Sequence, residues 1–252
     1  MALYSQAIEI VLEAGEQLIE REGVHKISEK GQTDYVTAVD IRVQKTIFQK
    51  LSQIDPDMQF LGEEKDNQEI DPEGKVWILD PVDGTTNLIH DFHHSVISLA
   101  YSEGGEIQFG IVYDPFSHEM FGARKGKGAY LNKERIFVSK AEKLSQSLIS
   151  IGTAPGCRED ADRAFARMRR VYDKCQDVRR IGSAALELAY VACGRLEGFY
   201  EGHLKIWDYA AGKLLVEEAG GIVLADKERV FASAPGIAEE FRCIAEEEEK
   251  DI

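Results

Sequence analysis

The apolar run Val76-Trp77-Ile78-Leu79 ends directly in Asp80-Pro81-Val82-Asp83-Gly84, and no other stretch constrains the fold as tightly. β-Branched and aromatic residues followed by Pro and Gly read as a buried strand over residues 76–80, one that delivers two aspartates three positions apart. Proline removes a backbone donor and fixes its own φ, while glycine permits tight geometry, so both carboxylates can converge on one point with the Val82 carbonyl between them. Hard oxygen donors gathered at one point suit magnesium. Taken alone, Asp83 is better explained as the N-cap of a helix starting at Gly84. That explanation leaves Asp80 unaccounted for, and a second short strand, residues 58–62, also runs into acid at Glu63-Glu64. Several carboxylates aimed at one edge repel each other unless a cation joins them.

Around this segment the apolar periodicity changes twice. Leu3, Ala7, Ile10, Val11, Ala14 and Leu18 recur at helical spacing before Gly23, and Val39, Val43, Ile47, Phe48 and Leu51 do so again before Pro56, which predicts a helix pair. Residues 95–102 and 107–113, separated by Glu103-Gly104-Gly105-Glu106, predict an antiparallel hairpin continued by residues 120–123. Beyond about residue 145 strand and helix patterns alternate: strands at 148–151, 178–181 and 196–200, helices at 160–172, 184–191 and 207–218. The first half, residues 1–145, reads as an α+β subdomain of helices on an antiparallel sheet. Residues 146–252 read as an α/β subdomain. The last helix opens at Trp207-Asp208, where a helix cap again suffices in isolation, because negative charge favours a helix start.

With 45 acidic against 30 basic residues the net charge is −15, which argues against a broad nucleic-acid or anionic-membrane surface and requires a local cation for any phosphate ligand. Glu246 to Glu249 read as a solvated tail. Cys157, Cys175, Cys193 and Cys243 contain no CxxC pair, so reduced, mostly buried thiols are expected rather than a zinc cluster or disulfide scaffold. The N-terminus lacks the basic start and apolar stretch of a signal peptide, and no run is long enough to cross a membrane. A cytoplasmic protein is expected.

Taken together, these segments resemble the inositol monophosphatase family of magnesium-dependent, lithium-sensitive phosphatases. One family signature, an acidic pair on a strand followed by Asp-Pro-hydrophobic-Asp-Gly-Thr-Thr-Asn, stands here as Glu63-Glu64 and Asp80 to Asn87. The other, Trp-Asp with a helix and Glu-Ala-Gly-Gly, stands as Trp207-Asp208 and Glu218 to Gly221. Residues 126–132 and 182–185 are also similar, so the resemblance spans about residues 30–221. It implies a layered αβαβα sandwich of the inositol monophosphatase and fructose-1,6-bisphosphatase type, assembled as a homodimer.

Carried over residue by residue, the resemblance makes Glu63, Asp80 and the Val82 carbonyl ligands of one magnesium, and Asp80, Asp83 and Asp208 ligands of a second. A third, weaker ion would sit beside Glu63. Thr85, held by Asp40, would polarise a water for in-line attack on phosphorus, and the Gly84 and Thr85 amides would cradle the phosphate. Glu201, with Gly182, Ser183 and Ala184, would contact the hydroxyls of a polyol. Leu88 replaces the usual aromatic after Asn87, His93 stands where proline is usual, and the loop before Asp40 is one residue shorter, which bears on Lys30 as a phosphate-facing residue. His90, His93 and His94 read as loop packing, since a carboxylate site needs no imidazole. The expected reaction is hydrolysis of inositol monophosphate. The alternatives are a relative acting on fructose 1,6-bisphosphate, NADP or 3′-phosphoadenosine phosphate, or a non-catalytic regulatory binding protein.

Overall fold

The computed structural model describes residues 2–29, 35–67 and 69–247; Lys30 and the end of the acidic tail lie outside them. Helix α1 (Ala2–Glu20) buries Ala7, Ile10, Val11, Ala14 and Leu18 on one face. A two-stranded antiparallel ribbon, β1 (Ile27–Glu29) and β2 (Tyr35–Thr37), leads into α2 (Ala38–Ile54). Thr37 caps α2, and Asp40 reaches back to the Thr37 amide at 2.9 Å. This capping box fixes the Asp40 carboxylate at the helix start.

Next come β3 (Gln59–Gly62), β4 (Lys75–Asp83), the short helix α3 (Thr85–Ile89), β5 (Val96–Glu103), β6 (Glu106–Asp114), β7 (Glu119–Arg124), β8 (Gly128–Leu131) and β9 (Glu134–Ile136). These strands form one sheet in chain order. Only β3 and β4 run parallel; the other neighbours are antiparallel. Strand β4 continues past Asp80, where the sequence pattern ends it, as far as Asp83, and its register against β5 shifts between those two residues. Pro81 has no N–H to give the ladder, so the extra chain is absorbed as an irregularity instead of terminating the strand.

The rest of the chain supplies β10 (Leu148–Ile151), α4 (Ala161–Tyr172), β11 (Asp177–Arg179), α5 (Ala184–Ala192), β12 (Gly198–Gly202), α6 (Ile206–Glu218), β13 (Ile222–Ala225), β14 (Arg229–Ser233) and α7 (Ala238–Glu246). The second sheet has the order β11-β10-β12-β14-β13, with β10 parallel to both neighbours and β14 antiparallel to both of its own. The alternation read from the sequence corresponds to β10 through α6. The closing hairpin β13–β14 carries exposed Ile222 and Leu224 on one edge, so its apolar pattern does not announce an inward face.

Side chains of β4 alternate between two cores, as the pleat requires. Trp77 and Leu79 pack with Ile97, Leu99 and Ile111 beneath α1 and α2, whereas Val76 and Ile78 pack with Val112 and Phe121 beneath Leu186 and Leu188 of α5 and Leu214 and Leu215 of α6. Fully burying each such large apolar side chain contributes roughly 1.5–3 kcal/mol. The same α5–α6 layer meets Phe199, Val230 and Ala232 of the second sheet. That sheet's far face packs Ile149, Tyr200 and Phe231 against Val171 of α4 and Phe241 of α7. The result is the five-layer αβαβα sandwich. Gly110 of β6 lets α6 lie close: a Cβ there would stand 2.7 Å from the Ala211 Cα, so any larger residue would push away the helix that carries Asp208.

Among the described residues no helix is long and apolar enough to cross a membrane. The cysteines are free, as expected, but they are less buried than the sequence suggested: three are partly exposed and Cys243 is exposed. Its short helix, α7, is packed on one face only, through Phe241 and Ala245.

Candidate active site

The parallel pairing of β3 with β4 sets Gly62 opposite Leu79, so the next residue of each strand, Glu63 and Asp80, emerges at the same edge. The Glu63 amide donates to the Leu79 carbonyl at 3.2 Å. Gln44 of α2 fixes the following turn, donating to the Glu64 carbonyl at 2.8 Å and accepting from the Glu64 amide at 3.1 Å. Asp80 is only 2% exposed. Its Oδ1 accepts from the Val82 amide at 3.0 Å, an Asx-type turn that folds the chain around Pro81.

Asp83 is buried as well, and its Oδ2 accepts from Ser183 Oγ at 2.8 Å and from the Ala185 amide at 2.6 Å. It therefore does cap a helix, but the helix is α5 and not the one that follows it. Gly84 caps α3 with φ of +93°, and a Cβ there would meet the His94 carbonyl at 2.8 Å, so the turn into α3 requires glycine. Thr85 Oγ1 then lies 2.8 Å from Asp40 Oδ1 and 3.1 Å from the Val82 carbonyl.

Asp208 arrives from the second half of the chain at the start of α6, where its Oδ2 accepts from the Lys205 amide at 2.6 Å. Ser98 of β5 donates to the Trp207 carbonyl at 3.2 Å and so ties this helix start to the first sheet. Glu201, on β12 and 6% exposed, accepts from the Ala154 amide at 3.0 Å. Glu63, Asp80, Val82, Asp83, Gly84, Thr85, Gly182, Ala184, Glu201 and Asp208 line one cavity of about 180 Å³. Asp40 and Ser183 stand behind the wall, the first touching Thr85 and the second touching Asp83.

Sequence reasoning missed three further lining residues, Pro155, Arg180 and Leu204. Among the described residues Arg180 is the only cation lining the cavity, and it lies two residues before Gly182. The signal was the need for a positive charge in a chain of net −15; nothing local marked which arginine would supply it. His90, His93 and His94 do not line the cavity. His93 stacks on Phe116 at 4.8 Å and reaches Asp91 at 3.0 Å, and His94 packs edge-on to Phe92.

Crowding of acids governs the electrostatics. Burial pushes Asp80 well above the usual carboxylate range, and Glu63, Asp83 and Asp208 push it further. Asp208 is raised by burial and then by Asp83. Asp83 is raised by burial to about 6, against the hydrogen bonds from Ser183 and Ala185. Glu201 is raised by burial and drawn back by Arg180 and the Ala154 amide. Asp40 is raised by burial while the Thr37 and Thr85 hydroxyls oppose it. Such a set holds protons unless a cation replaces them. Among the described residues no three acidic, histidine or cysteine side chains already stand in ligating geometry. The donor chemistry, carboxylate oxygens with one backbone carbonyl, nevertheless fits a hard divalent ion.

The inositol monophosphatase family model matches residues 1–251. An inositol-1-monophosphatase of Rhizobium meliloti (strain 1021) is 39% identical over 223 residues, 87% of this chain and 84% of its own length. The Nus factor SuhB of Escherichia coli (strain K12) is 40% identical over 196 residues, 78% of this chain and 73% of its own. Among solved structures, the extragenic suppressor protein suhB of Bartonella henselae superposes with a TM-score of 0.92 at 34% identity, covering 100% of both chains. The Thermotoga maritima IMPase does so with a TM-score of 0.88 at 31% identity, covering 97% of each.

Proposed function

This chain belongs to the inositol monophosphatase family, and from that premise we propose that it catalyses magnesium-dependent hydrolysis of a small phosphate monoester, inositol monophosphate first among candidates. The observation that carries the proposal is the meeting of Glu63, Asp80, Asp83 and Asp208 in one small cavity beside Thr85. In this reading Glu63, Asp80 and the Val82 carbonyl would hold one magnesium and Asp80, Asp83 and Asp208 would hold a second, with a further weak position beside Glu63. Bound there, magnesium supplies the positive charge that offsets the build-up on the attacking and leaving oxygens of an in-line displacement.

The chain's own groups do the rest. Asp40 accepts from the Thr37 amide and from Thr85, so the Thr85 proton is committed to Asp40 and its lone pairs are free to accept from a water. A water held that way turns its own lone pair toward phosphorus, which is the orientation in-line attack needs. Gly84 and Thr85 line the cavity, where their amides would donate to phosphate oxygens, and Arg180 would add a charge-assisted contact. Glu201, fixed by the Ala154 amide, accepts from substrate hydroxyls, with Gly182 and Ala184 shaping that end and Ser183 holding Asp83 from behind it.

Cavity size favours a small ester. About 180 Å³ is below the roughly 300–1,000 Å³ of sites for drug-sized ligands, which weighs against NADP and 3′-phosphoadenosine phosphate. Initial rates of phosphate release from inositol 1-phosphate, fructose 1,6-bisphosphate, 2′-AMP and NADP, with magnesium and with EDTA, test the proposal. Undiminished turnover in EDTA would overturn the magnesium requirement, and a preference for a nucleotide would overturn the substrate class. Lithium inhibition, a homodimer and a cytoplasmic location belong to the same reading. A second reading, a regulatory binding protein, draws on relatives named as Nus factors; absence of hydrolysis of all four esters would favour it.

A further inference from the structure

A second concavity, about 870 Å³ in volume, opens on the α4 side of β12. Arg163, Arg167 and Arg170 line it from α4, at positions i, i+4 and i+7 of one helix face, and Lys227, Arg229 and His203 line it from the opposite wall. Like charges at such spacing destabilise an isolated helix by roughly 0.2–0.5 kcal/mol per pair, so a stripe of three in an acidic protein calls for a compensating anion.

The carboxylates of the wall compensate only part of this charge. Asp160 is taken by His203 at 2.6 Å and Glu246 by Arg229 at 3.3 Å, and Glu228 and Glu247 line the same wall, two carboxylates against the four cations Arg163, Arg167, Arg170 and Lys227. Among the described residues Arg163 and Lys227 have no ion-pair partner. Arg167 stacks over the Tyr200 ring at 4.2 Å, and it and Arg170 spend only Nε on hydrogen bonds, to the Ala245 and Ile244 carbonyls. The terminal nitrogens of both forks remain available, the geometry that suits phosphate. Arg229 Nε is buried and makes no hydrogen bond. Burial holds Arg167 below its ordinary range, and Arg170, Arg163 and Arg229 lower it further, which marks the four as one mutually repelling cluster.

We propose that this cleft is a binding site for a small, multiply phosphorylated anion, distinct from the catalytic cavity. Its volume lies within the roughly 300–1,000 Å³ of small-molecule sites. A chain of net charge −15 repels an extended polyanion such as RNA over much of its surface, whereas a compact one meets a wall where Arg163, Arg167, Arg170, Arg229 and Lys227 outnumber Asp160, Glu228, Glu246 and Glu247. Tyr200 and Gly202 face the cleft while Glu201 between them faces the cavity, so the two sites lie on opposite faces of one strand.

The test uses tripolyphosphate in EDTA, which withholds the magnesium that would draw a phosphate to the catalytic cavity. Isothermal titration is expected to show one saturable site that weakens with salt, together with a rise in melting temperature. Arg163→Glu and Lys227→Glu, both at exposed positions, should each weaken binding by roughly tenfold or more, the loss of one charged hydrogen bond. Lys45→Glu, on the far helical layer with the same change in net charge, should leave it unchanged. No saturable binding at millimolar tripolyphosphate, equal losses in all three variants, or binding of single-stranded RNA without binding of tripolyphosphate would each overturn the site. Neither magnesium nor turnover enters the measurement, so its failure leaves the phosphatase proposal standing.

Discussion

Asp83 Oδ2 lies 2.6 Å from the amide nitrogen of Ala185, a residue 102 positions further along the chain. The carboxylate at the end of β4 thereby caps α5 through one oxygen while the same residue lines the acidic cavity. Helix cap and proposed metal ligand are the same side chain.

Asp83→Asn separates the two roles. The asparagine carbonyl can still accept from Ala185, since Asn caps helices about as well as Asp, while its neutrality removes repulsion toward Glu63 and Glu201. In EDTA the variant's melting temperature is expected to equal or exceed wild type. Magnesium should raise it less than it raises wild type, and turnover should fall by a factor on the order of 10² or more. Wild-type turnover with a wild-type magnesium shift would remove Asp83 from the ligand set.

Thr85→Ala leaves every proposed ligand in place and takes away the hydroxyl bonded to Asp40 that is proposed to hold the attacking water. A kcat reduced by roughly 10²–10⁴ with a near-normal magnesium-induced melting shift is the expected pattern. Stopped assays of kcat beside thermal melts decide it; an unchanged kcat shows that Thr85 only packs.

Glu201→Gln distinguishes a hydroxyl contact from a structural prop. Loss of one charged hydrogen bond should lower kcat/KM for inositol 1-phosphate by roughly tenfold and spare p-nitrophenyl phosphate, which has no hydroxyls to offer. Equal losses on the two esters contradict the contact.

Glu187 predicts a pH dependence away from the proposed metal ligands. It is 1% exposed, its Oε1 accepts from Ser150 and, at 2.9 Å, from the Ile181 amide, and burial followed by Glu201 raises it from 4.5 to about 8. Between those values the folded state holds a proton that the unfolded chain has released, so stability falls as pH rises through that window and levels off above about 8. Glu187→Gln cannot titrate. Its stability relative to wild type should increase from pH 5 to pH 9, by up to about 5 kcal/mol. Urea denaturation of both proteins across that range measures the difference, and a constant gap would show that Glu187 titrates normally.

Much of the layered fold was legible from local pattern. Strand β4 is bounded by residues whose backbone chemistry acts within a turn, and α1, α2, α5 and α6 follow from apolar spacing, because periodicity registers which side of an element is dry. Strands β13 and β14, with one exposed edge, and the ribbon β1–β2, only three residues per strand, lacked that signal. Asp80 and Asp83 could be seen to share a turn because Pro81 and Gly84 lie beside them.

Tertiary structure decided what those aspartates meet. Glu63 reaches Asp80 through the parallel β3–β4 register, Asp208 arrives because Gly110 lets α6 close on the sheet, and Asp83 finds its cap at α5. Arg180 and the arginine-lined cleft beyond β12 depend on how the second sheet packs, which no spacing within the chain encodes. Covalent neighbours set backbone geometry over a few residues, whereas the field inside a cavity sums charges from distant segments, and only folding brings those segments within the few ångströms where they act on one another.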